Sequence, residues 1–461
     1  MTPTFDVAVV GAGVVGCAIA RELGQYDIRV VLIDARGDVG DATSKASTAI
    51  LHTGFDATPG TLESQLVRRG YELWVQYAEQ TNIAVDRTGA ILVAWDAEQL
   101  ETLPKLAEKA RANGYFATEL VDTKKVYDLV PALGPGALGG LTVPDESVID
   151  SWGAALALAT DAVNRGVELR LNATVLNVRH EIDATILNTS LGDIRTTWVI
   201  NAAGLGADVV EQMCGLKRFT LNPRKGELFV FDKLARELVP MIVLPVPSKV
   251  GKGVLVSPTI YGNVMLGPTA EDIEDRSDTA TTERGFEFLW SKGAQIMPSL
   301  LSEEVTTTYA GLRAAHDQTD FVIDVDQSKR YAVAGCIRST GITASMAIAE
   351  FLVQQLTAAG FRADVKPVLP SPPQMPYIGE SGLRPYQDAR RIERDSAYGE
   401  IVCFCERVTA GEVRDALTAG IPAVDMNGVR RRTRAMNGRC QGFYCAAHIQ
   451  AMCEATWGVQ Q

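Results

Sequence analysis

The 461-residue chain has no uninterrupted apolar run near the roughly 18 residues that a membrane span needs. Charged residues such as Asp161 and Glu350 break the longest candidates, so no integral membrane segment is expected. Its first residues, Met-Thr-Pro-Thr-Phe, hold no basic stretch, so the pattern of a secretory signal is missing. A cytoplasmic protein is expected, with any membrane contact made through a partner. An excess of positive charge is also lacking: 44 Lys and Arg face 56 Asp and Glu, a net charge of −12. That balance argues against a nucleic-acid surface, which needs clustered cations, and still permits a local basic pocket for an acidic substrate. Histidine is rare, with four residues, and cysteine is sparse before residue 403, where only Cys17, Cys214 and Cys336 occur. The other five cysteines crowd into residues 403–453. In a reducing compartment such crowding points to metal or redox chemistry rather than a disulfide framework.

What is present begins with a βαβ pattern. Residues 5–10 read as a buried parallel strand, 14–23 as a helix and 28–33 as the next strand. Helical periodicity returns at 151–165, strands are expected at 167–178, 198–203 and 331–334, and an Ala-rich helix follows Gly341. Between these pieces lie strand candidates of another character, such as 90–94 and 227–231. An α/β fold follows, with one nucleotide domain assembled from separated segments and a mainly β domain inserted between them. Six prolines from Pro367 to Pro385 suit a semi-rigid linker. Beyond it, Thr409-Ala-Gly-Glu412 matches a capping box, which places a helix start in a small C-terminal module.

The first motif that carries chemistry is Gly11-Ala-Gly13-Val-Val-Gly16. Gly11 permits a sharp turn, Gly13 lets the backbone approach a pyrophosphate, and Gly16 lets the helix pack on the strand. The helix N-terminus then offers free N–H groups to phosphate. Asp34 ends the second strand, where a carboxylate can accept from ribose hydroxyls. These features occur in the order a dinucleotide site requires, but they do not tell FAD from NAD.

Residues 41–54 form a polar, small-residue loop with Thr43, Ser44, Lys45, Ser47 and His52. This loop resembles the flavin-contacting segment of the D-amino-acid-oxidase-like superfamily. Thr174-Val175, Asn201-Ala-Ala-Gly204 and the stretch from Gly335 to Thr343 extend the resemblance. Pro223-Arg-Lys-Gly-Glu227, Gly267-Pro-Thr-Ala-Glu271 and Ala310-Gly-Leu-Arg313 look like its glycerol-3-phosphate dehydrogenase and L-2-hydroxyglutarate dehydrogenase branch. The resemblance implies a Rossmann-like FAD-binding domain from about 1–75, 148–215 and 309–365, with a substrate domain from about 76–147 and 216–308. It places FAD against Gly11, Gly13, Gly16, Asp34, Thr43, Ser44, Lys45, Ser47, Val175, Gly204, Gly341, Ile342 and Thr343. Asp34 stands where this superfamily more often has Glu, with the same chemistry.

The second motif is Cys403-x-Cys405, a gap of 34 residues, then Cys440 and Cys445. Two pairs of thiolates are what a 2Fe-2S cluster needs, and the spacing resembles the iron–sulfur domain of bacterioferritin-associated ferredoxin. That resemblance implies a cluster-binding domain at 398–461, joined by a linker at 366–397. Structural zinc is the competing reading, although its paired cysteines usually enclose two to four residues and this first pair encloses one. Cys453 reads as a buried apolar cysteine, and Arg430-Arg-Arg432 as a solvated face or a docking patch for a partner.

For the substrate, the resemblance puts Arg313 and Arg338 near the flavin, where guanidinium groups suit capture of carboxylate or phosphate. His52 is a base or an orienting group for a hydroxyl, against a structural histidine. Lys225 is an anion or flavin contact, against an ordinary solvated lysine. The expectation is an FAD-dependent dehydrogenase acting on a small anionic hydroxy compound. Electrons would leave through the cluster to an acceptor protein or quinone, and a flavoprotein partner subunit is compatible. An amine or imino-acid oxidoreductase of the same fold and a non-catalytic electron-relay subunit are the alternatives.

Overall fold

The computed structural model describes residues 4–247, 253–316 and 320–458. The strand Thr4–Val10 lies in the middle of a sheet, parallel to Val30–Ile33 on one side and to Gly192–Asn201 on the other. Glu168–Arg170 extends the sheet past Val30–Ile33, and Tyr331–Gly335 extends it past the end of Gly192–Asn201, both in parallel. The central strands are apolar and buried because both sheet faces are covered. The helices Val14–Leu23, Ser151–Asn164 and Gly341–Ala358 cover one face. The hairpin strands Val175–His180 and Thr185–Thr189 and the helix Ala207–Met213 lie towards the other. The expected strand at 167–178 is thus two strands, Glu168–Arg170 and Val175–His180, separated by a turn with Asn172 at φ 58°.

A helix of 20 residues, Leu62–Thr81, capped by Thr61, was not expected and spans the boundary drawn near residue 75. It packs so tightly on Gly341–Ala358 that a Cβ at Gly70 would sit 2.0 Å from the carbonyl of Thr343. Its Trp74 is fully buried and donates from Nε1 to the carbonyl of Ile342 at 2.7 Å. Truncating such a side chain to Ala costs about 3–5 kcal/mol, so this helix supports the first turn of Gly341–Ala358 from behind.

The inserted domain is a nine-stranded, mostly antiparallel sheet. Its longest pairing joins Asn222–Phe231 to Val305–Ala315, a strand that runs past the expected boundary at 308. Ala90–Ala94 forms as expected and pairs in parallel with Ile242–Pro245. The helices Ala97–Ala112, Thr123–Leu129 and Glu283–Ile296 belong to the same domain.

The Pro-rich segment is packed rather than free-spanning. Lys366 Nζ donates to the carbonyl of Gly24 at 3.0 Å, Met375 N donates to that of Thr81 at 2.9 Å, and Met375 and Ile378 are buried. The C-terminal module then folds around its own core of Val402, Val408, Val413, Leu417, Val429 and Ile449. Thr409 and Glu412 form the expected capping box of the helix Ala410–Thr418, and Cys453 is buried.

The arginine run corrects one expectation. Arg431 and Arg432 lie on the helix Met426–Thr433 and are neither solvated nor open to a partner. Arg432 donates from Nη1 and Nη2 to Asp38 at 2.7 and 2.8 Å, and Arg431 reaches Asp38 at 2.6 Å and Asp41 at 2.8 Å. The run is the joint between the C-terminal module and the loop at the end of the βαβ unit. Only Arg430 keeps to its own module, donating to Asn437 and to the carbonyl of Met436.

Candidate active site and cofactor sites

The glycine turn separates structural demand from ligand demand. Gly11 has φ 106°, and a Cβ there would lie 2.4 Å from the carbonyl of Ala202. A Cβ at Gly16 would lie 1.8 Å from the carbonyl of Gly11. Both positions must be glycine for the chain to close. Gly13 is different, since its φ of −69° suits any residue and a Cβ would meet only Ser44 Oγ, at 3.4 Å. The protein gives no reason for a missing side chain there, whereas a pyrophosphate on the helix N-terminus does. Gly204, at φ 55°, likewise faces open space. Asp34 accepts from Ala12 N at 2.6 Å and Arg36 N at 2.8 Å, and burial raises its carboxyl above the usual range. The residues present therefore fit an extended dinucleotide.

The polar loop begins with a short 3-10 turn, Thr43–Ala46. Ser44 Oγ accepts from Val14 N at 3.0 Å, tying the loop to the helix entry. Ser47 Oγ accepts from Ala49 N, and the Lys45 ammonium pairs with Asp41 at 2.8 Å. Val175 starts its strand on the Asp34 side of the sheet, where Ala173 N donates to the Asp34 carbonyl. Gly341, Ile342 and Thr343 form the first turn of the 18-residue helix Gly341–Ala358, and Thr343 Oγ1 accepts from His52 N at 3.0 Å.

His52, Arg313 and Arg338, more than 250 residues apart at the extremes, meet on one cavity of about 190 Å³. Ser47 of the polar loop and apolar residues of the inserted sheet, among them Leu228 and Leu312, complete its wall. Arg313 donates from Nη2 to the carbonyl of Thr269 at 2.9 Å. Among the described residues no carboxylate forms an ion pair with it. Burial, aided by the charge of Arg224 and only partly offset by Asp272, lowers its pKa, so an anion in the cavity would meet a poorly solvated cation. Arg338 contacts Glu63 Oε2 at 3.3 Å at the cavity edge.

Lys225 is not brought to this cavity. Alternation along Asn222–Phe231 sends Gly226 and Leu228 to the cavity side and Lys225 to the other. There its ammonium meets Asp278 at 2.8 Å, which raises its pKa. Glu146 is the residue that sequence reasoning missed. It is fully buried, and one carboxylate oxygen lies 3.0 Å from His52 Nδ1. A charged residue in the run Pro144-Asp-Glu-Ser147 reads as a solvated turn, and nothing local reveals a partner 94 residues away.

In the C-terminal module the thiol of Cys405 contacts that of Cys440, and Cys403 contacts Cys445. Cys403 and Cys445 are buried, and the other two are partly exposed. Among the described residues no three His, Cys, Asp or Glu side chains converge on a single ion position. The two thiol pairs fit two sulfurs per iron in a two-iron cluster. Burial pushes the Cys440 thiol up, but backbone N–H groups of Tyr444, Gly442 and Phe443, with the Cys405 thiol, outweigh it and favour the thiolate. Cys445 is pushed up to about 12 by burial and by Cys403.

Between the two sites lies a cavity of about 1070 Å³ reached by Thr43, Lys45, Arg431 and Arg434. Along its wall Trp152 donates from Nε1 to the carbonyl of Lys45 at 3.1 Å and stacks on Tyr261, with centroids 4.8 Å apart. The guanidinium of Arg434 lies 4.3 Å from the same ring and bonds Glu406, the neighbour of Cys405, at 2.7 Å. Trp152, Tyr261, Arg434 and Glu406 therefore link the backbone of the polar loop to the residue next to Cys405.

Comparison with known proteins agrees with this geometry. The sequence model of FAD-dependent oxidoreductases matches residues 6–355, and that of BFD-like [2Fe-2S] binding domains matches residues 401–455. A glycerol 3-phosphate dehydrogenase of Caloramator mitchellensis is 33% identical over 462 residues, covering 99% of this chain and 95% of that protein. A glycerol 3-phosphate oxidase of Mycoplasma pneumoniae is 30% identical, covering 77% and 94%. The structure of dithionite-reduced L-α-glycerophosphate oxidase from Mycoplasma pneumoniae, with FAD bound, superimposes with a TM-score of 0.77 at 28% identity, covering 81% of this chain and all of that one. No helix among the described residues is long and apolar enough to cross a membrane.

Proposed function

Because the chain belongs to the FAD-dependent oxidoreductase family and carries a BFD-like [2Fe-2S] domain, we propose that it is a dehydrogenase of glycerol 3-phosphate. The observation that carries this reading is the joint placement of His52 and Arg313, which among the described residues makes no direct ion pair, on one small cavity beside the polar loop. A guanidinium without a carboxylate partner recognises an anion, and a histidine within reach of the same molecule can take a hydroxyl proton. The glycine turn, the polar loop and the first turn of Gly341–Ala358 would hold FAD, which when bound supplies a hydride acceptor, and the four cysteines would hold a cluster, which supplies one-electron transfer. The chain's own part is to orient the substrate. Arg313, with Arg338 at the cavity edge, grips the anionic end, and His52 receives the proton of the hydroxyl whose carbon loses hydride. Such positioning supplies much of an enzyme's rate enhancement.

The relatives named above as glycerol 3-phosphate dehydrogenase and oxidase support phosphate as the anion. Anaerobic titration of the purified holoprotein with glycerol 3-phosphate, L-2-hydroxyglutarate and amino acids tests the assignment. Glycerol 3-phosphate is expected to bleach the flavin, followed by the cluster. Bleaching by an amino acid, or by L-2-hydroxyglutarate alone, would overturn the substrate assignment. Rapid peroxide formation in air with an oxidised cluster would overturn the dehydrogenase assignment.

A further inference from the structure

The buried carboxylate behind His52 has a geometry that a solvated turn does not need. Glu146 sits between the strands Gly139–Val143 and Ser147–Ile149, and its carbonyl accepts from Gly89 N at 2.8 Å. Its side chain is fully buried. Oε1 accepts from Thr53 N at 2.7 Å and from Thr53 Oγ1 at 2.9 Å, and Oε2 faces His52 Nδ1 at 3.0 Å. An ionised carboxylate only accepts hydrogen bonds. The hydrogen of that last contact therefore belongs to Nδ1, and the lone pair of the neutral imidazole belongs to Nε2. His52 is pinned from a second side as well, since its backbone N–H donates to Thr343 Oγ1.

We propose that Glu146 is a positioning residue that fixes the tautomer and orientation of His52, so that Nε2 is the proton acceptor offered to the substrate cavity. The proposal rests on the reading of His52 as the base. As the alcohol becomes a carbonyl, the O–H proton would go to Nε2, and the C–H electron pair would leave as hydride to the FAD that the dinucleotide site would hold. The resulting imidazolium faces the Glu146 carboxylate 3.0 Å from Nδ1. Other charged or titratable groups surround this pair. Asp56, Arg313 and Arg338 share the cavity with His52, and Asp145, Arg87, Tyr71 and Tyr115 lie around the Glu146 turn.

Glu146→Gln is nearly isosteric and tests the idea sharply. The two Thr53 donors still require an oxygen, so the amide NH₂ is forced towards His52 Nδ1 and moves the ring hydrogen to Nε2. With the lone pair on the wrong nitrogen, kcat is expected to fall on the order of 10²- to 10⁴-fold, while KM, set by Arg313, changes little. The chain holds only four histidines, so ¹⁵N-histidine NMR of the holoprotein resolves the ring nitrogens without turnover. The wild type should show His52 protonated at Nδ1 and the variant at Nε2, with flavin content unchanged. A wild-type ring protonated at Nε2 overturns the proposal whether or not the variant folds. So does an E146Q enzyme with wild-type kcat and pH profile. His52→Gln separates the two layers: full activity there defeats the base reading itself, whereas an inactive H52Q beside a fully active E146Q defeats only the role of Glu146.

Discussion

The joint between the C-terminal module and the polar loop should be fragile to loss of Asp38. Its side chain and that of Arg432 are about 4% and 5% exposed, so they form a buried ion pair rather than a surface one. Removing one member of a buried pair costs about 3–5 kcal/mol, because the other charge stays buried without compensation. The lower end applies to Asp38→Ala. Arg432 keeps the carbonyls of Gly428 and Ile421 as acceptors, and Arg431 keeps Asp41. About 3 kcal/mol corresponds to a roughly 100-fold larger undocked population. Native-state hydrogen exchange of the helix Met426–Thr433 reads this as a comparable loss of protection. Burial alone would raise the Asp38 carboxyl, but hydrogen bonds from Arg432 and Arg431 hold it below its ordinary range. A depressed folded-state pKa gives stability that is complete above the unfolded value of about 3.9 and is lost as pH falls through the folded value. Wild-type protection should therefore collapse only in acid, and the Asp38→Ala variant should lack that acid-dependent part. Joint replacement by Asp38→Leu and Arg432→Met should recover much of the loss, since apolar substitutes for a buried pair are often neutral. Protection in Asp38→Ala within the roughly 0.5 kcal/mol of a surface substitution would refute the clamp.

Arg313→Met should raise the KM for glycerol 3-phosphate about 100-fold, from the roughly 2–5 kcal/mol lost when a charge partner of a desolvated anion is removed. Steady-state kinetics check it, and Lys225→Met, on the far face of the strand, should leave KM unmoved. Gly13→Val should fold yet lose FAD, as read by flavin content beside circular dichroism. Gly16→Val should fail to fold, because its Cβ collides with the Gly11 carbonyl. A Gly13→Val protein with stoichiometric flavin would remove the argument for a phosphate at that glycine. Cys440→Ser should lower iron and acid-labile sulfide from about two each per chain while flavin remains, and zinc in the wild-type protein in place of iron would refute the cluster.

The parts of this molecule that were legible in the sequence are those whose physics is local. A glycine spacing, a run of Val and Ile, a capping box at Thr409 and the distance between cysteines each act within a few residues. The βαβ unit, the Ala-rich helix after Gly341 and the C-terminal module could therefore be drawn in advance. The helix Leu62–Thr81 was not drawn in advance, although its Thr61 cap and amphipathic pattern are local; its role as the support of Gly341–Ala358 appears only in the packing. Charge was the least legible property. Lys225 was expected at an anion or the flavin, the arginines at 431 and 432 on a solvated or docking face, and Glu146 drew no expectation, since isolated charges usually are solvated. Each instead meets a partner 53 to 394 residues away, with Lys225, Glu146 and Arg432 buried. Burial of a charge is tolerated only where a partner meets it, so these errors cluster where distant segments are brought together on purpose. Glu146 and the two arginines mark the ends of the segment 38–54: Glu146 meets His52, and Arg431 and Arg432 meet Asp38, just before the polar loop. One segment thus runs from the joint with the C-terminal module to the His52 side of the cavity, and a buried charge contact holds it at each end.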